Sequence, residues 1–331
     1  MTQAILESYR RQIESGLLRS LDGEAPLRSV LRYHVGLEDE RGRRTNATGK
    51  LLRPSLVLFV TDELVGNPAS ALPSAVGLEL IHGFSLIHDD IQDRDRIRRG
   101  RAAVWTLVGV EQAINAGDLM HALAIATALK SSSAAAARLV EATQEMIEGQ
   151  CRDLEFECTS VSTADYLAMI DQKTGALLRC AFDLGGIAAG VNGRIQVLLN
   201  ELGQVVGRAF QIKDDILGIW GHDELLGKAT DSDIRRRKKT LPVVQLFERI
   251  EADDQVTLRR IYDMQDGPEV AEDDVAWVVD RLNELGVRAT CETMVQTHLT
   301  EAMARLQELP FSDSAASRMR DLIGFLARRE T

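Results

Sequence analysis

Gly77-Leu78-Glu79-Leu80-Ile81-His82-Gly83-Phe84-Ser85-Leu86-Ile87-His88-Asp89-Asp90-Ile91-Gln92-Asp93-Arg94-Asp95 is an apolar helix that ends in acid. Pro73-Ser74 supplies a start signal, and Val76, Leu78, Leu80, Ile81, Phe84, Leu86 and Ile87 predict a helix over 74–96. At about 100° per residue, Asp89 and Asp93 differ by about 40°, one turn apart on one face; His82 falls within about 20° of Asp89, two turns earlier. Asp89, Asp90 and Asp93 repel each other, and the adjoining apolar turns offer them little solvent. A divalent cation removes that repulsion, and Mg²⁺ is typically held by one or two carboxylates plus substrate phosphates. Taken alone, the same residues also fit an acidic helix end on the surface.

A second acidic pair follows in Phe210-Gln211-Ile212-Lys213-Asp214-Asp215-Ile216-Leu217-Gly218, again near the end of a long apolar helix. Gln211 and Asp215 are four apart and share a face, with Asp214 three from Gln211. Two carboxylate pairs about 120 residues apart are expected to face each other across a bundle cavity, because metal sites in bundles are built from facing helices.

Working outward, 111–130, 135–158, 164–190 and 195–220 are long and helix-forming. Breaks are expected at 36–49, 66–73, 98–100, 190–193 and 221–237, where Gly, Pro, Asn and charge gather. Pro242, two residues after Thr240, is placed to open a further helix. The C-terminal third alternates acidic surface with Val275, Val278, Val279, Leu282 and Leu285, and shows no cluster that points to chemistry. With no internal repeat or low-complexity linker, the expectation over 1–331 is one all-α domain of ten or more helices.

Composition agrees with helices. The 331 residues are 45% hydrophobic and 27% charged, with 5% aromatics and 7 prolines, too few for a β-sandwich or barrel. No apolar run approaches 18 residues, so no membrane-crossing helix is expected, and the amphipathic N-terminus lacks the order of a signal peptide. Cys151, Cys158, Cys180 and Cys291 fall in no zinc or disulfide pattern, so reduced thiols in a cytoplasm are expected. The 39 Lys+Arg against 50 Asp+Glu give a net charge of −11, which argues against nucleic acid. The basic run Arg235-Arg236-Arg237-Lys238-Lys239 has no interleaved aromatics and does not change that.

The cations are placed as a metal–polyphosphate site requires. Gly49-Lys50-Leu51-Leu52-Arg53-Pro54 puts two ahead of a helix, and Arg98-Arg99-Gly100-Arg101 follows the first acidic cluster. Lys173-Thr174, Lys228 and Lys238-Lys239-Thr240-Leu241-Pro242 complete the set. Arg suits bidentate phosphate contacts, and Lys serves as a mobile point charge.

In this order, 49–54, 79–93, 98–101, Ile114-Asn115-Ala116-Gly117-Asp118, Lys173-Thr174-Gly175, 210–215 and 227–242 resemble the motifs of the trans-prenyltransferases. These are the polyprenyl and geranylgeranyl diphosphate synthases of the all-helical isoprenoid synthase fold. The resemblance implies a bundle around a central cavity and two or three Mg²⁺ ions. It implies Asp89, Asp93 and Asp214 as metal ligands, with Asp215 beside Asp214 and Asp90 in support of the ligands. Arg98, Lys173, Thr174, Gln211, Lys228 and Lys238 match positions that contact an allylic diphosphate (dimethylallyl, geranyl or farnesyl). Lys50, Arg53, His82 and Arg99 match those that hold isopentenyl diphosphate. A cytoplasmic homodimer, without stable membrane insertion, goes with the same resemblance.

The chain departs from the common pattern at Gly218, where an Asp is usual, and Asp223 or Asp231 are candidates to replace it. Arg237 stands where Gly is frequent, and Ala102-Ala103 where Pro-Thr is common. For product length, Gly77, Ile81, Phe84 and His88 form a stripe about 100° from the carboxylate face. Phe84, five residues before the motif and beside small Ser85, matches the usual tunnel floor, with Ile81 the next barrier; this favours geranylgeranyl diphosphate over shorter or long products. Two alternatives stay open. A terpene cyclase of the same fold would not need Lys50, Arg53 and His82, and a non-catalytic partner subunit usually has a broken first motif.

Overall fold

The computed structural model describes residues 3–221, 231–263 and 269–328; Asp223 and Lys228 lie outside them. Among the described residues are sixteen α-helices and a single pair of two-residue strands, so the all-α expectation holds. The chain clusters into two compact units. The first comprises Met1–Gln144, Leu177–Gly203 and Gln307–Leu322; the second comprises Glu145–Ala176, Gln204–Leu306 and Ile323–Thr331.

In the first unit, α1 (Gln3–Ser20), α2 (Pro26–His34), α3 (Leu52–Val65), α4 (Leu72–Gln92), α5 (Val104–Val108) and α6 (Val110–Ala128) follow one another, and α4 packs against α6, α3 and α1. Residues 54–61 of α3 are all buried, as are 74–81 of α4. A helix that is apolar all round belongs inside a core. This revises the expectation about apolar runs: Pro68–Gln92 is long and apolar enough to span a membrane, yet 67% of its most apolar window is buried against other helices. The ring of His88 stands where a side chain at Gly117 would project, 2.2 Å from the position of its Cβ, so α6 can approach α4 here only with glycine.

The predicted helix over 74–96 stops earlier, at Gln92. Asp93 caps it, and Arg94 turns left-handed at φ 57°. The chain then makes a hairpin, β1 (Ile97–Arg98) against β2 (Arg101–Ala102). Its two turn residues, Arg99 and Gly100, both have positive φ, 53° and 70°, the geometry that matches strand twist in a two-residue loop.

The segments predicted at 111–130, 135–158 and 195–220 are α6, α7 (Ser133–Phe156) and α10 (Gly193–Trp220). The segment at 164–190 is instead two helices, α8 (Thr163–Lys173) and α9 (Gly175–Ala189), broken at Thr174. In the second unit follow α11 (Ser232–Arg235), α12 (Leu241–Arg249), α13 (Ala252–Tyr262), α14 (Glu272–Glu284) and α15 (Val287–Glu308), before α16 (Asp313–Arg328). Pro242 sits in the first turn of α12, as expected. Ile212, Ile216 and Ile219 form a core with Leu241, Val244, Leu258, Tyr262, Val275, Val278 and Leu282. Leu285, at the cap of α14, is 37% exposed rather than buried. All four cysteines are free thiols.

Candidate active site

The first unit carries the acidic end of α4. Asp89 and Asp93 lie one turn apart, with the Asp93 N–H donating to the Asp89 carbonyl at 2.8 Å, and both side chains are half-buried. Asp90 turns the other way. Its carboxylate is 1% exposed and accepts from Arg98 Nε at 2.7 Å and from the Arg98 terminal nitrogen. Asp95 Oδ2 lies 3.6 Å from the same guanidinium. Arg98 is thus oriented by buried carboxylates rather than free on the surface.

Nearby, Arg53, His82 and Arg99 act on one another. Burial, with the charges of Arg53 and Arg99 next, holds the His82 imidazole well below its usual pKa, so it is a neutral hydrogen-bonding ring. Burial raises the Glu79 carboxyl, while Arg99 and Arg53 pull the other way. The guanidinium of Arg99 passes within 2.8 Å of where a Cβ on Gly49 would stand, bringing the hairpin turn onto the loop that carries exposed Lys50. That loop enters α3 through a left-handed Leu51, φ 51°. His34 joins this group without any motif to announce it. Its pKa is lowered to about 3 by burial and then by Arg99 and Arg98.

On the stripe expected to face a product tunnel, Phe84 and Ile81 are buried, and Ser85 Oγ donates to the His82 carbonyl at 2.9 Å. The ring of Phe84 meets His88 at 4.9 Å and His121 of α6 at 5.3 Å, centroid to centroid. The sequence reading missed His121. The spacing of α6 offers no acid or basic cluster there, and only the packing of α6 on α4 brings it to Phe84.

The second unit holds a cavity of about 190 Å³ lined by Asp153, Tyr166, Lys173, Thr174, Gln211, Asp214, Asp215, Asp233, Lys238, Lys239 and Thr240, among others. Five expected site residues, Lys173, Thr174, Gln211, Asp214 and Lys238, therefore stand together. The break between α8 and α9 serves the cavity: Thr174 Oγ1 donates to Gln211 Oε1 at 2.6 Å, a tie a continuous helix pattern cannot announce. Lys173 Nζ donates to Asp153 Oδ2 at 2.5 Å. Gly149 of α7 lets that neighbourhood close, since a Cβ there would lie 2.3 Å from the Lys173 backbone nitrogen.

Asp215 differs from its neighbour Asp214. It is 3% exposed and accepts from Tyr166 Oη at 2.5 Å, Gln211 Nε2 at 3.0 Å and the Leu241 N–H at 3.1 Å. Burial pushes it up to about 7 against the pull of these donors. It fastens α8, α10 and the start of α12. Lys239 is similarly committed, donating to the carbonyls of Glu157 and Thr159 at 3.2 and 2.7 Å, and burial lowers its pKa. Among the described residues no three His, Cys, Asp or Glu side chains form a ready metal cage. Carboxylates beside Lys, Thr and Gln in a polar cavity instead suit Mg²⁺, which keeps few protein ligands and shares phosphate oxygens.

A family model described as polyprenyl synthetase matches residues 41–281. The chain belongs to the polyprenyl synthetase family. It is 36% identical over 310 residues to the (2E,6E)-farnesyl diphosphate synthase of Mycobacterium tuberculosis, covering 92% of this chain and 86% of that one. It is 37% identical over 290 residues to the geranylfarnesyl diphosphate synthase of Aeropyrum pernix, covering 84% and 89%. The crystal structure of geranylgeranyl pyrophosphate synthetase from Pyrococcus horikoshii aligns with a TM-score of 0.87 at 33% identity, covering 99% and 98%. The expected family and its all-helical fold are borne out, and the protein is a trans-prenyl diphosphate synthase. These polyprenyl synthetase relatives make products of three lengths, so membership alone sets none.

Proposed function

We propose that the protein joins isopentenyl diphosphate head to tail with an allylic diphosphate and releases geranylgeranyl diphosphate, working as a cytoplasmic homodimer with Mg²⁺. The cavity that gathers Lys173, Thr174, Gln211, Asp214 and Lys238 carries this reading: two cations, two neutral hydrogen-bonding groups and a carboxylate are the donor set of a metal-bound diphosphate. Arg98 and Lys228 are assigned to the same allylic diphosphate. Asp89, Asp93 and Asp214 would hold two or three Mg²⁺ ions, which would supply charge that stabilises the departing pyrophosphate.

The protein's own groups then have distinct tasks. Lys173, Lys238 and Arg98 favour the ionised leaving group over the bound ester, which lowers the barrier to breaking the allylic C–O bond. Asp90 aims Arg98, and Asp153 with Gln211 aims Lys173 and Thr174. Lys50, Arg53 and Arg99 hold the diphosphate of isopentenyl diphosphate, to which neutral His82 donates a hydrogen bond. Its double bond attacks the allylic carbon, and a proton leaves to the released pyrophosphate, so no side-chain base is required. Buried Phe84, walled by His88 and His121, closes the tunnel at a medium length.

Radiolabelled isopentenyl diphosphate given with dimethylallyl, geranyl or farnesyl diphosphate, in Mg²⁺ or in EDTA, tests this reading. A metal-dependent product of geranylgeranyl length is expected. Hydrocarbon formed from geranylgeranyl diphosphate alone would favour a cyclase, and failure to condense any primer would favour a non-catalytic subunit.

A further inference from the structure

Arg101 is the last cation of the run Arg98-Arg99-Gly100-Arg101, yet its guanidinium is turned onto the protein's own backbone. In the hairpin it pairs with Arg98, across the turn that Arg99 and Gly100 make. One terminal nitrogen of Arg101, Nη1, donates to the Tyr33 carbonyl at 3.1 Å, and the other, Nη2, to the Glu38 carbonyl at 2.7 Å. Its Cζ stands 4.0 Å from the centroid of the Tyr33 ring. Tyr33, at the buried end of α2, returns the contact, its Oη donating to the Ala102 carbonyl at 2.8 Å. Three hydrogen bonds and a stacked ring therefore seat the hairpin on the end of α2 and the residues after it. A planar, forked guanidinium suits such a bridge between two carbonyls, and the aromatic face beneath it adds to the attraction.

The other two arginines of the hairpin are held differently. Arg98 has its own grip on the buried carboxylate of Asp90, in the last turn of α4. Arg99 sits at the turn and lies over Gly49. Gly49 is fixed from another direction, because Arg10 of α1 donates to Thr48 Oγ1 at 2.8 Å and to the Gly49 carbonyl at 3.3 Å. The loop that carries Lys50 thus keeps its place without the hairpin, and the approach of Arg99 to that loop depends on how the hairpin is seated. We propose that Arg101, together with Tyr33, is a positioning residue for isopentenyl diphosphate: it touches no substrate and sets the distance from Arg99 to the loop of Lys50. This rests on the assignment of Lys50, Arg53, His82 and Arg99 to that diphosphate. It goes beyond it by giving the last arginine of the run a task that its shape performs and its charge alone does not.

Steady-state condensation by the full chain tests this, with isopentenyl diphosphate varied at saturating geranyl diphosphate and then the reverse. Arg101→Ala should raise KM for isopentenyl diphosphate about tenfold, short of the roughly hundredfold that a 1 Å misplacement can cost. KM for the primer should stay within about twofold of wild type, because Asp90 still holds Arg98. Arg101→Lys keeps the charge but cannot bridge two carbonyls, so it should behave as Arg101→Ala does. Tyr33→Phe keeps the ring and loses only the bond to Ala102. It should raise KM for isopentenyl diphosphate about threefold, the cost of one hydrogen bond, and it serves in place of Arg101→Ala if that variant does not fold. A wild-type KM for isopentenyl diphosphate in Arg101→Lys or in Tyr33→Phe overturns the proposal, as do equal rises in both KM values, which general damage to the hairpin would give. A wild-type chain that condenses no pair of substrates would overturn the reaction itself, and the role of Arg101 with it.

Discussion

The guanidinium of Arg98 is gripped by the buried carboxylate of Asp90, with Nε 2.7 Å from Oδ1. Adjacent acids on one helix therefore have opposite duties. Asp89 and Asp93 are the proposed metal ligands, whereas Asp90 spends its charge on an arginine. Asp89→Ala should abolish turnover in Mg²⁺ while leaving the fold intact, since Ala is a good helix former. Asp90→Ala should also unfold more readily, by about 3 kcal/mol, because it strands the partly buried charge of Arg98. Urea unfolding beside a condensation assay separates the two. Equal stability losses would remove the distinction, and wild-type turnover in Asp89→Ala would remove the metal assignment.

A pH dependence follows from His34. Its folded-state pKa, about 3, lies below the ordinary 6.5, owing to burial and then to Arg99 and Arg98. The unfolded chain therefore binds the extra proton first as pH falls. The stability held above about pH 6.5 is lost progressively toward pH 3, and none is lost on the alkaline side. His82, shifted in the same direction, adds to the trend. His34→Gln cannot titrate, so between about pH 7 and pH 5 the wild type should lose roughly 2 kcal/mol more than this variant. Parallel urea midpoints at the two pH values would contradict the assignment.

Arg237 makes a local backbone argument. It occupies a left-handed conformation, φ 58°, the region that favours glycine, and its Nε donates to the Ile261 carbonyl at 2.7 Å. Both Arg237→Gly and Arg237→Ala lose that hydrogen bond, but only alanine keeps the steric penalty. The glycine variant should be the more stable of the two by about 1 kcal/mol. Chemical denaturation of the pair reads this directly, and equal midpoints would mean that the segment relaxes out of the left-handed region.

What could be read ahead of the coordinates had local causes. The long apolar runs around Ile81 and Ile212 dictated buried helices, and spacing alone put Asp89 with Asp93 and Gln211 with Asp215. The break at Thr174 escaped because its partner, Gln211, is 37 residues away. Asp233 was inside a quoted motif, yet its contact with Gly218 depends on how the intervening chain returns, which no periodicity encodes. His34 and His121 escaped for a related reason: each is an ordinary histidine until a second helix supplies its neighbours.

Product length offers the sharpest test of the apolar side of the site. Phe84 is 8% exposed and sits between two imidazoles, His88 along its own helix and His121 from α6. If Phe84 is the floor, Phe84→Ala opens a volume that a growing chain can enter, so the dephosphorylated products should shift toward more isoprene units on chromatography. His121→Ala removes the wall from the other helix and should lengthen products less, because the Phe84 ring remains. The double variant should exceed either single one, until Ile81 becomes the next barrier. Core packing alone would produce a different pattern: a large-to-small change at a merely structural phenylalanine costs about 3–5 kcal/mol and lowers yield without moving the length distribution. An unchanged distribution in Phe84→Ala, with the protein still folded, would therefore assign Phe84 to the core and leave the floor to another residue.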